Sequence, residues 1–429
     1  MRIARASFAG VLALYAVCSA GAQQLDFTPL HANGIYRTGE VVGWTVTVHP
    51  GAAAPAGKFS YIVRENNSNV IKTSPLNLST GTVKIETSLQ QPGMVYVEID
   101  TGGASPSSRI ASLGAAVDPS KLQPSVSAPA DFWEFWNQQL TKLRSIPIQP
   151  FLTPVPTPKE GVDLYAIKLA SVGSTVQGYL SRPHREGKFP ALVIYQWAGV
   201  YKLQPNAVTS RAADGWLALD VDSHDIAPDS DAGVPRDYQA IGNNDRAASY
   251  FLKMYLRDSR AIDYIRTRPD WDGKTIVVMG TSMGGQQSLV TAGLNPDAIT
   301  AVIVNEPSGA DSNGDPHERK AGYPNWPSND MQVMKTALYF DTVNFASHIK
   351  APTLAAMGYI DTTAPPVGIW IALDQVPGPK EAVPMIESDH NNITPQKQGG
   401  FSRRSEEILT TILHGGRFEP DQSLTRPSQ

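Results

Sequence analysis

Thr275-Ile276-Val277-Val278-Met279-Gly280-Thr281-Ser282-Met283-Gly284-Gly285-Gln286 is the stretch that decides the fold. A run of β-prone residues with no polar side to spare reads as a strand buried on both faces. It runs directly into Gly280-Thr281-Ser282-Met283-Gly284, and a helix-compatible segment follows. A Gly-x-Ser-x-Gly string is weak by itself. Placed between a strand and a helix, it predicts a sharp turn that lifts the serine hydroxyl above the end of a sheet. The flanking glycines have a physical reason: a strained turn and close helix–strand packing leave no room for a Cβ.

Working outward, apolar strands are expected at Ala191–Tyr195, Trp216–Asp220, Ala301–Val304, Thr353–Met357 and Val383–Ile386. Helical periods fall at 245–267, 284–294, 366–375 and 400–414, and two more strand-like runs at 162–170 and 175–182. Apolar strands alternating with helices predict an α/β class: a mostly parallel sheet covered on both sides. Ahead of it, Val42, Trp44, Val46 and Val48, then Val95, Val97 and Ile99, keep the period of two, with turn signals between. This predicts a small Ig-like β-sandwich over 23–118. A Pro- and Ser-rich linker is expected at 119–130, and the catalytic domain at 131–429.

Residues 1–22 read as an export signal. Arg2 and Arg5 precede the apolar Phe8–Val17 run, which is too short to span a bilayer, and Ala20-Gly21-Ala22 offers a cleavage site. Cleavage after Ala22 would remove Cys18, the single cysteine, and send the chain to the periplasm or outside the cell. The charge of −4 gives no basic footprint for nucleic acid and no polybasic membrane anchor.

An activated serine needs a base, and the base needs an orienting carboxylate. After Ser282, only His390 falls at the carboxyl end of an expected strand; His317, His348 and His414 do not. Asp361, in the turn after the strand ending at Met357, is the expected acid. Asp389 is the rival, although a direct neighbour of the histidine is poorly placed to orient its ring.

Other constellations carry less. No phosphate- or dinucleotide-binding glycine motif is present, so no cofactor is expected. Asp222, His224, Asp225, Asp229 and Asp231 lack zinc-site spacing and read as a solvated acidic loop. Asp311-Ser312-Asn313-Gly314-Asp315 begins like a calcium loop, but Pro316 stands where its glycine should be. No metal is expected. Phe132, Trp133, Phe135 and Trp136 occupy more than one face of a helix and read as packing rather than a sugar platform.

From about 131 to 414 the chain resembles the acetyl xylan esterase and cephalosporin-C deacetylase family, carbohydrate esterase family seven. The resemblance rests on Asp131-Phe132-Trp133-Glu134-Phe135-Trp136, Leu256-Arg257-Asp258-Ser259-Arg260-Ala261, Tyr339-Phe340-Asp341 and Asp361-Thr362-Thr363-Ala364-Pro365-Pro366. It implies an α/β-hydrolase that removes acetyl groups from sugar hydroxyls without a cofactor, with Ser282 as nucleophile, Asp361 as acid and His390 as base. It also implies backbone oxyanion donors, which here would be Ala198 and Met283.

The chain departs from the family at four places. Gln196-Trp197-Ala198 stands for His-Gly-Tyr, Asp222-Ser223-His224 for Arg-Gly-Gln, Met283 for Gln, and Asn391 for Glu. Trp197, beside Ala198, is the expected wall of a small acyl pocket. An acylated carbohydrate or small ester is the expected substrate, and a homo-oligomer is compatible with the family. The alternatives are a hydrolase of another bond, such as a peptidase or lactonase, and a non-catalytic glycan-binding protein.

Overall fold

The period-two runs near the N-terminus become eight strands in the computed structural model, which describes residues 25–49, 58–79, 81–101 and 109–421. The expected export signal therefore lies outside the described residues. The strands are β1 (Leu25–Pro29), β2 (Ile35–Tyr36), β3 (Val42–Val48), β4 (Phe59–Glu65), β5 (Asn69–Leu76), β6 (Thr82–Thr87), β7 (Gly93–Asp100) and β8 (Arg109–Val117). They form two sheets, β1-β3-β6 and β2-β8-β7-β4-β5. Trp44, Val46, Tyr61, Val63, Ile85, Val95 and Val97 fill one core between them.

The chain continues through β9 (Phe151–Pro154), β10 (Val162–Ser171), β11 (Ser174–Pro183), β12 (Phe189–Tyr195), β13 (Leu217–Val221), β14 (Trp271–Thr281), β15 (Ala301–Asn305), β16 (Thr353–Gly358) and β17 (Lys380–Met385). These make one sheet in the order β17-β16-β15-β14-β12-β13-β11-β10-β9. The run from β13 to β17 is parallel and the β9–β11 edge antiparallel. Among the described residues, eight α-helices accompany it: α1 (Phe132–Arg144), α2 (Asn206–Asp214), α3 (Tyr250–Thr267), α4 (Met283–Leu294), α5 (Met331–Ala337), α6 (Thr342–Ala346), α7 (Pro366–Gln375) and α8 (Pro395–Leu413).

Successive residues of the central strands join opposite cores. Val193, Val278 and Val302 pack on one face, and Leu192, Val277 and Ile303 on the other. Burial on both faces explains why these strands are apolar throughout. The α/β-hydrolase expectation holds. Chain order reverses at β12, with β13 on one side and β14 on the other, so a crevice opens at their carboxyl ends.

The aromatics of α1 are structural. Phe132, Phe135 and Trp136 are buried, and the Trp136 indole donates to the Tyr339 carbonyl at 2.9 Å. Trp133 stacks on His348.

The sandwich is fused to the large sheet rather than hung from it. In β7 and β8, Val95, Val97, Ala115 and Val117 face the sandwich core, while Met94 and Ala116 join the core of the α/β domain together with Tyr359. At the seam, a Cβ on Gly114 would lie 2.3 Å from the Tyr359 carbonyl oxygen. The 119–130 stretch is no loose tether either. The Ser125 amide and hydroxyl both donate to the Asp311 carboxylate, at 2.8 and 2.7 Å, and Arg319 donates to the Gln123 carbonyl at 2.6 Å.

Gly114→Ala is therefore expected to force the seam open, at a cost of about 1–3 kcal/mol, typical of overpacking. Denaturant unfolding of the purified variant measures this. An unchanged midpoint would mean that the seam yields without cost.

Candidate active site

The elbow is built as its sequence demands. Ser282 has φ +57°, a left-handed conformation rare for a residue with a side chain. A Cβ on Gly284 would meet the Tyr195 carbonyl oxygen at 2.1 Å, and one on Gly280 would meet the Gly284 carbonyl carbon at 2.3 Å. Only glycine lets α4 approach the end of β12 this closely. Helix α4 is buried along its whole length, so packing holds the strained serine in place. The Ser282 amide also donates to the Asn305 carbonyl at 3.0 Å.

Three side chains from three strand ends converge. His390 Nε2 lies 2.8 Å from Ser282 Oγ, and His390 Nδ1 lies 2.7 Å from Asp361 Oδ2. Asp361 is fully buried, and its other oxygen accepts the amides of Thr363 and Ala364 at 2.7 and 2.9 Å. Asp389 is turned away into its own loop. It accepts from the Asn391 and Asn392 amides and pairs with Lys397 at 3.1 Å. Although burial works against it, the hydrogen bonds from Asn392 and Asn391 hold its carboxyl down to about 2.

Burial acts to lower the His390 pKa. The hydrogen bond and charge of Asp361, with Glu306 and Asp389 behind, outweigh it and raise the value above the ordinary histidine range. The arrangement can deprotonate a serine and hold the resulting imidazolium.

The amides of Ala198 and Met283, on segments leading out of β12 and into α4, form no hydrogen bond among the described residues. A polar rivet fixes those segments. Gln196 accepts the Ser223 amide at 2.9 Å, and Gln287 donates to the Gln196 and Met283 carbonyls at 2.8 and 3.1 Å. Behind it, the Gly199 amide donates to the Tyr238 hydroxyl, which lies 2.8 Å from that of Tyr323; both hydroxyls approach the Met283 sulfur. Nothing in the sequence pattern marked Gln287, Tyr238 or Tyr323, because they come from a helix interior, a single short 3-10 turn and an irregular loop.

One expectation needs correction. The 222–231 loop is only partly solvated. Asp225, Asp229 and Asp231 are exposed, but Asp222 and His224 are fully buried. His224 bridges the Gly199 carbonyl and the Tyr250 hydroxyl, and burial lowers its pKa to about 4, so it is a neutral brace. Trp197 is 57% exposed and stacked on Tyr201. Tyr238, buried, packs in one cluster with Met283 and Ala198.

Beside His390 lies a cavity of about 440 Å³. Thr362, Thr363, Asn391 and Lys397 line one side, and Tyr96, Arg109, Ile110 and Ser112 of the sandwich line the other. Among the described residues, Glu306, Asp361 and His390 are the group of acids and histidines whose atoms come within 4.8 Å of one another. Both nitrogens of His390 are already engaged by Asp361 and Ser282.

The family profile described as Acetyl xylan esterase (AXE1) matches residues 119–311 and 321–402. The chain belongs to the acetyl xylan esterase family. It is a carboxylic-ester hydrolase. It is 28% identical over 382 residues to the acetyl esterase Axe7A of Xylanibacter ruminicola, covering 84% of this chain and 85% of the relative. An acetyl xylan esterase from Paenibacillus sp. R4 superposes with a TM-score of 0.60 at 26% identity, covering 67% of this chain and 98% of its own. Acetyl xylan esterase 1 from Thermoanaerobacterium sp. JW/SL YS485 shares the fold, with a TM-score of 0.58 at 20% identity, over 68% of this chain and 96% of its own.

His390 must be neutral to accept a proton, so kcat/KM falls as pH drops through its pKa. The acid limb is expected above pH 6.5, the unperturbed histidine value. A pH profile measured with p-nitrophenyl acetate checks this, and a limb at or below 6.5 would count against the Asp361 contact.

Proposed function

We propose that this esterase is exported and removes acetyl groups from carbohydrate hydroxyls through a Ser282-His390-Asp361 acyl-enzyme mechanism. The continuous hydrogen-bond chain from Ser282 Oγ to Asp361 Oδ2 carries the reading. His390 takes the proton of Ser282 as the hydroxyl attacks the ester carbonyl. Asp361 keeps Nδ1 protonated and stabilises the imidazolium. The amides of Ala198 and Met283 receive the oxyanion. His390 then protonates the departing sugar alcohol, and afterwards activates the water that releases acetate.

Acetyl selectivity is supported by the relatives' names and by the crowding of Met283 against Tyr238 and Tyr323. A sugar alcohol leaving His390 has the adjacent cavity to occupy, and Trp197, exposed next to Ala198, offers an apolar ring for a sugar to stack on. Export is supported by the signal-like first 22 residues, and no helix among the described residues is long and apolar enough to cross a membrane.

Ser282→Ala is expected to lower kcat by about 10⁴-fold or more while the circular dichroism spectrum stays intact. Near-normal turnover in the folded variant would overturn the mechanism. With wild-type protein, kcat/KM should fall from p-nitrophenyl acetate to butyrate to octanoate; an octanoate preference would sink the acetyl reading and leave the serine mechanism standing. Trp197→Ala should raise KM for acetylated xylo-oligosaccharides roughly fivefold, the equivalent of a stacking contact of about 1 kcal/mol, and barely alter p-nitrophenyl acetate kinetics. Equal effects on both substrates would exclude a sugar platform.

A further inference from the structure

We propose that Glu306 is a second carboxylate behind His390, a positioning residue that shares with Asp361 the work of orienting and stabilising the imidazolium. The proposal rests on the triad reading above and adds a member that neither the sequence motif nor the family resemblance supplied.

Glu306 follows β15, the strand next to the nucleophile strand, and holds a left-handed φ of +45°. Its carboxylate is fully buried. Oε1 accepts the Ser388 hydroxyl at 2.9 Å and Oε2 accepts the Gln398 amide at 3.0 Å, while Asn305 donates to the other end of Gln398 at 3.1 Å. The same Oε2 stands 4.0 Å from His390 Nδ1, the nitrogen that Asp361 already contacts.

The charged groups facing Glu306 are Asp361 from the turn after β16 and His390 from the loop after β17; Gln398, from α8, is neutral. Lys397, one residue earlier, is turned to Asp389. Among the described residues no lysine or arginine pairs with Glu306. A brace that only tied Ser388 to Gln398 could be a glutamine, with no charge to desolvate. A carboxylate here makes physical sense as a partner for a positive charge that comes and goes, which is what His390 carries.

Two carboxylates beside one imidazole resist ionising together. Burial, and then the charge of Asp361, push the Glu306 carboxyl up to about 7. Below that pH it is a neutral neighbour. Above it, a second negative charge stands behind the imidazolium formed in each transition state.

Kinetics from pH 6 to 8.5 on Glu306→Gln, Asp361→Asn and the double variant test this. Glu306→Gln should lose kcat rather than gain KM, with a deficit that widens about tenfold across the range, the effect of roughly one pKa unit. Asp361→Asn should keep a residual activity that rises through pH 7, and the double variant should lose that rise. Ser388→Ala removes a donor that favours the ionised form, so its rise should move to higher pH; this variant keeps the test open if Glu306→Gln fails to fold. A pH-independent deficit, with Asp361→Asn matching the double variant, would reduce Glu306 to a loop brace. Ser282→Ala measured alongside separates the two failures. If it is dead while Glu306→Gln is flat, only the Glu306 assignment falls; if it is active, the triad reading falls as well.

Discussion

The close approach of α4 to the end of β12 is the contact on which the site depends. Gly284 rests on the Tyr195 carbonyl with no space for a side chain, and that approach holds Ser282 in its left-handed turn. Such a conformation costs of order 1–3 kcal/mol and persists only where surrounding packing over-determines it. Here a helix buried on every side supplies that packing. The same closeness brings the Met283 amide and the segment after β12 to one corner. Gln196, Ser223 and Gln287 then lock that corner with hydrogen bonds in a water-excluded setting, where satisfied polar networks are strong.

Environment, not residue type, separates the acids around His390. Asp361 is fully buried, with its oxygens committed to His390 and two backbone amides. Asp389 is adjacent in sequence, yet its bonds close its own loop and its charge is matched by Lys397. A direct neighbour cannot curl back onto the ring without breaking the loop that presents it.

Much of this was legible in the sequence because it is local. The elbow announces itself in twelve consecutive residues, and strands buried on both faces are apolar throughout. The Ser, Asp, His order could be read because each candidate ends an expected strand. What escaped notice depends on distant partners. Asp222-Ser223-His224 looks like solvent-exposed loop by composition, but contacts from the segment after β12, from α3 and from α4 bury it. Met94 and Ala116 occupy the positions that a one-sided strand would give to water, and the α/β domain covers them instead. Trp197 was read from its size and its place beside Ala198, neither of which reveals that its face is open. The short helices α2, α5 and α6 carry too few turns for a period to stand out.

The two-faced strands of the sandwich have a consequence for descent. A module joined by a solvated tether can be lost or exchanged between genes with little disturbance. This one shares side chains with the domain that carries the acid, since Met94, Ala116 and Ile35 belong to the same core as Tyr359, two residues before Asp361. A lineage that discarded the sandwich would expose Tyr359 and Ile386 at once, and would need polar replacements there before the shortened chain could stay soluble. Substitutions on either side of the seam touch the same packed core, so their effects on stability are expected to be coupled.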